Sequence, residues 1–241
     1  MKKKTLLLLW VAATLATLSA CSLAGVEVIT GSGTTTTQTY DFTGFDEIEI
    51  GSAFTVTVSQ GNAYNVVVRV DDNLVDRLVV TQEENRIAIG LKDGTTVSRA
   101  TLEADVTLPN LNRLNAHGAG RVQVNPFLMG DTFVVDASGA AEIRGDLDAV
   151  DLELEASGAG RVILTGTAAN VQAHATGASI IDLSDLSAVD AQVDSSGGST
   201  ITVNIDGILD ADADGGASVY YLGNPEMGTI NVSGGSNVEQ R

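Results

Sequence analysis

The chain has 241 residues, with 31 acidic side chains against 13 Lys and Arg and a formal net charge of −18. Such a charge repels nucleic acid and anionic lipid, and 4% aromatic residues is a poor supply for stacking bases or sugar rings. A single cysteine excludes an intrachain disulfide and a cysteine-based zinc cluster.

Residues 1–20 read as a targeting segment rather than as structure. Lys2, Lys3 and Lys4 form a positive start, followed by an apolar stretch from Leu6 through Leu18. That stretch is too short for a comfortable membrane span of about 20 residues. It ends in Leu18-Ser19-Ala20-Cys21, which resembles the lipobox of bacterial lipoproteins. The resemblance implies cleavage before Cys21, a diacylglycerol on its sulfur and acylation of its freed amine. Several chains together give stable anchoring, whereas one alone is marginal. Without the three lysines the remaining chain carries ten basic side chains against all 31 acids, a net charge of −21.

Residues 21–39 contain Gly31-Ser32-Gly33 and four threonines, Thr34 to Thr37, with no hydrophobic period. This predicts a flexible tether that lifts the following domain off the membrane. Residues 40–241 then read as one domain, with a head over 40–109 and repeats over 110–241. In the head, strands are predicted at Ile48-Glu49-Ile50, Phe54 to Val58, Val66 to Val70, Arg86 to Leu91 and Val106 to Leu108. Gly61-Asn62 and Asp93-Gly94 are turn signals. Asp71 to Leu78 fits one short helical turn capped by Asp72 or Asn73.

From residue 110 onward the chain is repetitive. Glycines stand at 118, 139, 158, 177, 197, 215 and 234, every 18 to 21 residues. Four places before them stand Leu114, Val135, Leu154, Ala173, Val193, Ala211 and Ile230, all apolar. Two places before, the residues are mostly small, and one place after, they are Ala or Gly only. Four places after stand Val122, Ile143, Val162, Ile181, Ile201, Val219 and Val238, all β-branched. Setting Ser52 at the glycine place gives a fainter eighth copy, with Ile48, Ile50, Ala53 and Val56 in the same columns.

Apolar spacing of two, with glycine in the centre of every copy, argues for strands and against helices. A copy of about 20 residues cannot bury its inner face alone, so copies must stack, with like residues in ladders about 4.8 Å apart. The fold class is therefore all-β: a parallel β-solenoid of seven or eight rungs, right-handed as parallel crossovers usually are, behind a head that contains antiparallel strands. A glycine column fits a corner needing positive φ or no side chain. Solenoid ends expose unpaired edges. The head is placed to cap one end, and weak end-to-end dimerisation or a mobile last rung is expected at the other.

These features resemble the putative auto-transporter adhesin, head GIN domain family. The carrying residues are Phe45-Asp46-Glu47-Ile48-Glu49-Ile50, Phe54 to Gly61, Val66 to Leu74, Val106-Thr107-Leu108-Pro109-Asn110-Leu111 and the repeated Gly-Ala or Gly-Gly corners. The resemblance extends from about Tyr40 to Val238. It implies a β-helix-like domain at the cell surface or in the envelope, and it brings no catalytic residues.

The chain offers little for catalysis. His117 and His174 belong to copies three rungs apart, roughly 14 Å, too far to share a metal. No Gly-x-Ser-x-Gly elbow exists, and no helix follows the Gly-Ala-Gly triplets at 118 and 158. A polysaccharide-processing enzyme on a β-helix needs clustered carboxylates and cations to hold acidic sugars. After Arg121 the only cations are Arg144, Arg161 and Arg241, and Lys92 is the one lysine beyond Lys4.

What remains is an outward column three places before each glycine: Asn115, Asp136, Glu155, His174, Asp194, Asp212 and Asn231. Asp136, Glu155, His174, Asp194 and Asp212 are its candidate binding residues, for a neutral surface glycan or a protein ligand. Stacked carboxylates repel by roughly 1 kcal/mol per pair in water. Ca²⁺ relieves such repulsion, with Asp206, Asp210, Asp212 and Asp214 as its candidate ligands, although neither the EF-hand spacing nor a Gly-Gly-x-Gly-x-Asp repeat is present. A solvated acidic face that deters aggregation is the plainer reading. The sequence thus favours a non-catalytic display module in the envelope, held to the inner or outer membrane by lipid on Cys21. The alternatives are a carbohydrate-active enzyme and a structural spacer.

Overall fold

The computed structural model describes residues 28–241; Cys21 and the targeting segment lie outside them. The described chain is strand almost throughout, with one 3-10 helix at Asp72–Arg77. It forms a parallel β-solenoid of about seven turns.

Each copy makes one turn. A strand runs into the glycine corner on one broad face, here called the entry face. A second strand leaves it on the other, the exit face. The turns run through β10 (Arg113–Ala116), β11 (Arg121–Leu128), β12 (Thr132–Ala137), β13 (Glu142–Ala156), β14 (Arg161–Ala175) and β15 (Ile180–Ser196). They continue through β16 (Thr200–Ile205), β17 (Ile208–Asp214), β18 (Ser218–Gly223), β19 (Glu226–Val232) and β20 (Asn237–Gln240). The long strands β13, β14 and β15 each lie on the exit face with their first half and on the entry face with their second.

The register is the one that the spacing predicts. Leu114, Val135, Leu154, Ala173, Val193, Ala211 and Ile230 line up on the entry face. Val122, Ile143, Val162, Ile181, Ile201, Val219 and Val238 line up on the exit face. Alternation buries these columns and exposes their neighbours. Two places before the corner stand Ala116, Ala137, Ala156, Ala175, Ser195 and Ala213, all buried, while Val232 of the last copy is exposed.

The seven corner glycines have φ between 63° and 78°. Each also sits on the backbone of the corner before it: a Cβ on Gly139 would lie 2.9 Å from the Gly118 oxygen. That oxygen accepts from the Ala140 N–H at 2.7 Å, and the same bond recurs at Ala119, Ala159, Ala178 and Gly198. Conformation and close approach thus both select glycine. Ser52 occupies the same place in the eighth copy with φ 62, and its hydroxyl oxygen accepts from the Leu91 N–H at 3.1 Å.

That eighth copy is β3 (Glu47–Ile50) and β4 (Thr55–Gln60), with Ile48 opposite Leu114 and Val56 opposite Val122. The head does more than cover it. β7 (Arg86–Leu91) and β9 (Leu102–Leu108) form a further parallel layer beyond β3 and β4. The chain therefore doubles back, and β3 and β4 lie between a layer formed later in sequence and the first repeat. Antiparallel β6 (Leu78–Glu83) then covers β7, and antiparallel β5 (Asn65–Asp71) covers β9.

Two expectations are corrected. The segment read as a tether is folded from Val28: β1 (Val28–Thr30) pairs with β8 (Thr96–Ser98), and β2 (Thr35–Tyr40) pairs antiparallel with β5. Threonine is a strand former, and Thr36, Gln38 and Tyr40 lie opposite Val70, Val68 and Val66. The 3-10 helix forms where the helical turn is predicted, but its N-cap is Asp71, without a side-chain cap bond, rather than Asp72 or Asn73.

Candidate functional site

The entry face carries three outward columns, because period-two alternation turns every second residue of its strands to solvent. The first brings together Asn115, Asp136, Glu155, His174, Asp194, Asp212 and Asn231 in one line, with Glu49 of β3 beyond Asn115. All five candidate binding residues of the sequence stand in it. The second column, two places earlier, runs Glu153, Gln172, Gln192 and Asp210. The third runs Asp151, Asn170 and Asp190.

Between the columns runs a shallow trough. It opens into adjoining hollows of about 280, 320 and 300 Å³. Gln192 lines all three, and Gln172 lines two of them. These glutamines are register neighbours. They carry no charge and no motif, and the alternation that turns the first column outward turns them outward two places earlier. No aromatic side chain lines the three hollows.

Burial pushes the Asp136 carboxyl above the ordinary carboxylate range, the charge of Glu155 adds to this, and Arg113 and His117 oppose it. His174 stands exposed between Glu155 and Asp194. His117 lies three turns away with its Nε2 3.5 Å from Glu49 Oε1. The proposed Ca²⁺ ligands are not brought together. Asp210, Asp212 and Asp214 alternate along β17, while Asp206 sits in the opposite corner, after β16. Asp210 accepts from the Thr229 N–H at 2.6 Å and Asp214 from the Ser233 hydroxyl at 2.7 Å. Among the described residues no group of three or more His, Cys, Asp or Glu is arranged to hold a metal.

A family model described as the putative auto-transporter adhesin, head GIN domain matches residues 44–225. The chain belongs to that family. The GIN domain so matched takes in the head from Gly44 and all but the last turn of the solenoid. Three solved structures share the fold. One is a putative adhesin from Bacteroides fragilis, 23% identical with TM-score 0.81, covering 88% of this chain and 100% of its own. Another, described as a putative lipid binding protein from Parabacteroides distasonis, is 19% identical with TM-score 0.71, covering 89% and 100%. A putative adhesin from Parabacteroides merdae is 18% identical with TM-score 0.67, covering 89% and 99%. No curated protein sequence matches the chain. Among the described residues no helix is long and apolar enough to cross a membrane.

Proposed function

We propose that this GIN domain is a non-catalytic envelope module that binds a neutral, repeating glycan along the entry-face trough. The observation that carries the reading is the Gln172–Gln192 ladder at the trough's centre. Each amide offers two donors and an acceptor, the complement of sugar hydroxyls. The flanking carboxylates accept further hydroxyl bonds. Rungs about 4.8 Å apart set the two amides in succession between Glu153 and Asp210, which suits a polymer better than a single sugar. A net charge of −18 disfavours an extended polyanion there. Without an aromatic platform each contact is weak, so many copies displayed together supply the avidity. The adhesin descriptions of two structural neighbours accord with this role. A shallow trough with its carboxylates in a line, rather than a deep cleft converging on a cation, favours binding over catalysis.

The test is a glycan array probed with the full chain. Neutral polymers are expected to be retained, and the double variant Gln172→Ala/Gln192→Ala is expected to lose them by about tenfold or more. Arg144→Gln, on the exit face, is expected to leave retention unchanged. Retention of no neutral glycan, or equal retention by the double variant, removes the reading.

Display is placed on the lipid at Cys21. Val28 is the first described residue, so seven residue steps separate it from Cys21, at most about 25 Å of chain. The anchored domain is then held close to its bilayer rather than lifted well clear of it. Cys21→Ser is expected to lose metabolic labelling by a palmitate analogue and to leave the membrane fraction or stay unprocessed. Full labelling of that variant contradicts the anchor.

A further inference from the structure

A second hollow lies on the same face at the head, away from the trough. It is a cleft of about 360 Å³. Its floor is low at Gly90 of β7, where a Cβ would meet nothing closer than Gly51 at 3.7 Å, while the His117 ring covers Gly51 itself, 2.7 Å from where its Cβ would lie. Around this floor stand Ser52, Lys92, Thr95 and His117. We infer that this cleft is a separate site for a small carboxylate-bearing ligand, such as the acidic end of a uronic sugar.

The Ser52 oxygen accepts from Leu91 N–H, which leaves its own O–H to donate. Thr95 Oγ1 is buried without a hydrogen-bond partner, closed off from the cleft, so a bound acceptor relieves that cost only after a small shift of the lining uncovers it. Lys92, the one lysine beyond Lys4, brings an ammonium to the cleft. One of the two lining carboxylates, Glu49, is already engaged by Arg86 at 3.0 Å and faces His117 at 3.5 Å. Donors thus exceed acceptors, and the matching ligand is a small anion rich in oxygen acceptors. A single carboxylate fits a cleft of this size, whereas a polyanion meets the acidic remainder of the face. Asp93 on the same rim opposes the ligand.

Gly90 supplies a direct probe. A Cβ there meets nothing closer than 3.7 Å, and the position has no positive φ. Gly90→Ala therefore folds normally while filling the floor. Calorimetric or saturation-transfer titration of the full chain with glucuronate is expected to show binding, with glucose at least about tenfold weaker. Lys92→Gln is expected to weaken glucuronate by about tenfold or more, and Gly90→Ala to abolish it. Asp93→Asn is expected to tighten it. The double variant Gln172→Ala/Gln192→Ala is expected to keep glucuronate binding, so the trough can fail while this site stands, and the reverse. Equal affinity for glucose and glucuronate, no glucuronate binding to the unmodified chain, or full affinity in Lys92→Gln and Gly90→Ala overturns the inference.

Discussion

Gly177→Val is expected to destabilise the solenoid by about 2–3 kcal/mol. Gly177 has φ +78, and a Cβ on it would lie 2.9 Å from the Gly158 oxygen and 3.3 Å from the Gly158 nitrogen. A β-branched residue in the left-handed region costs about 1–2 kcal/mol by itself. The clash adds to this, because relieving it moves the Gly158 oxygen away from the Ala178 N–H that bonds it at 2.7 Å. Losing a backbone bond of that kind costs about 1 kcal/mol more. Gly94→Ala separates the two effects. Gly94 has nearly the same φ, +77, but open space around its missing Cβ. It is expected to cost only about 1 kcal/mol, from conformation alone. Denaturation midpoints of the three proteins measure the difference. If Gly177→Val and Gly94→Ala fall within about 1 kcal/mol of each other, the corners do not hold the stack by close approach. Because each turn touches only its neighbours, the damage should spread from β15 toward β20 and spare the head. Hydrogen exchange resolves that direction.

The repeats were legible because each column reports the same environment seven times. The β-branched column at Val122 to Val238 says strand and buried at every copy, and the glycines say corner. Even the eighth copy is visible, since Ile48, Ile50 and Val56 follow the same pattern and Ser52 adopts the corner conformation. The path of the head was not legible. β3 pairs with β7 about 39 residues ahead and with β10 about 66 ahead, and nothing local distinguishes those partners from other alternating strands. β2 was hidden for a different reason. Its threonines put similar residues on both faces, so no period-two contrast appears, and composition alone reads as linker. In the trough, the charged column was visible because charge draws notice. Gln172 and Gln192 carry no motif and gain meaning only from the register that places them side by side.

One buried carboxylate, Asp71, pins the segment from Val28 to Tyr40 to the head, and its removal is expected to free that segment. Asp71 is fully buried. Its Oδ1 accepts from the Gly33 N–H at 2.8 Å and its Oδ2 from the Thr101 N–H at 2.6 Å. Its neighbours complete a clamp: the Asp72 N–H donates to the Thr34 oxygen at 2.8 Å, and Asn73 Nδ2 donates to the Thr30 oxygen at 2.9 Å. Asp71→Ala leaves two backbone donors without their acceptor, a loss of about 3 kcal/mol for charge-assisted bonds at a buried site. The loss is local in origin. β1 and β2 are expected to detach, and the edge of β5 beneath β2 to open, with Val66, Val68 and Val70 brought to the surface. Amide exchange at Gly33, Thr101 and along Thr35–Tyr40 should accelerate well before the repeats exchange. Asp71→Asn keeps one acceptor and sets an amide donor against the other N–H, so it should fall between the two and remain foldable if the alanine variant aggregates. Unchanged protection at Gly33 and Thr101 in both variants would show that the strand pairing, and not this carboxylate, holds β1 and β2 in place.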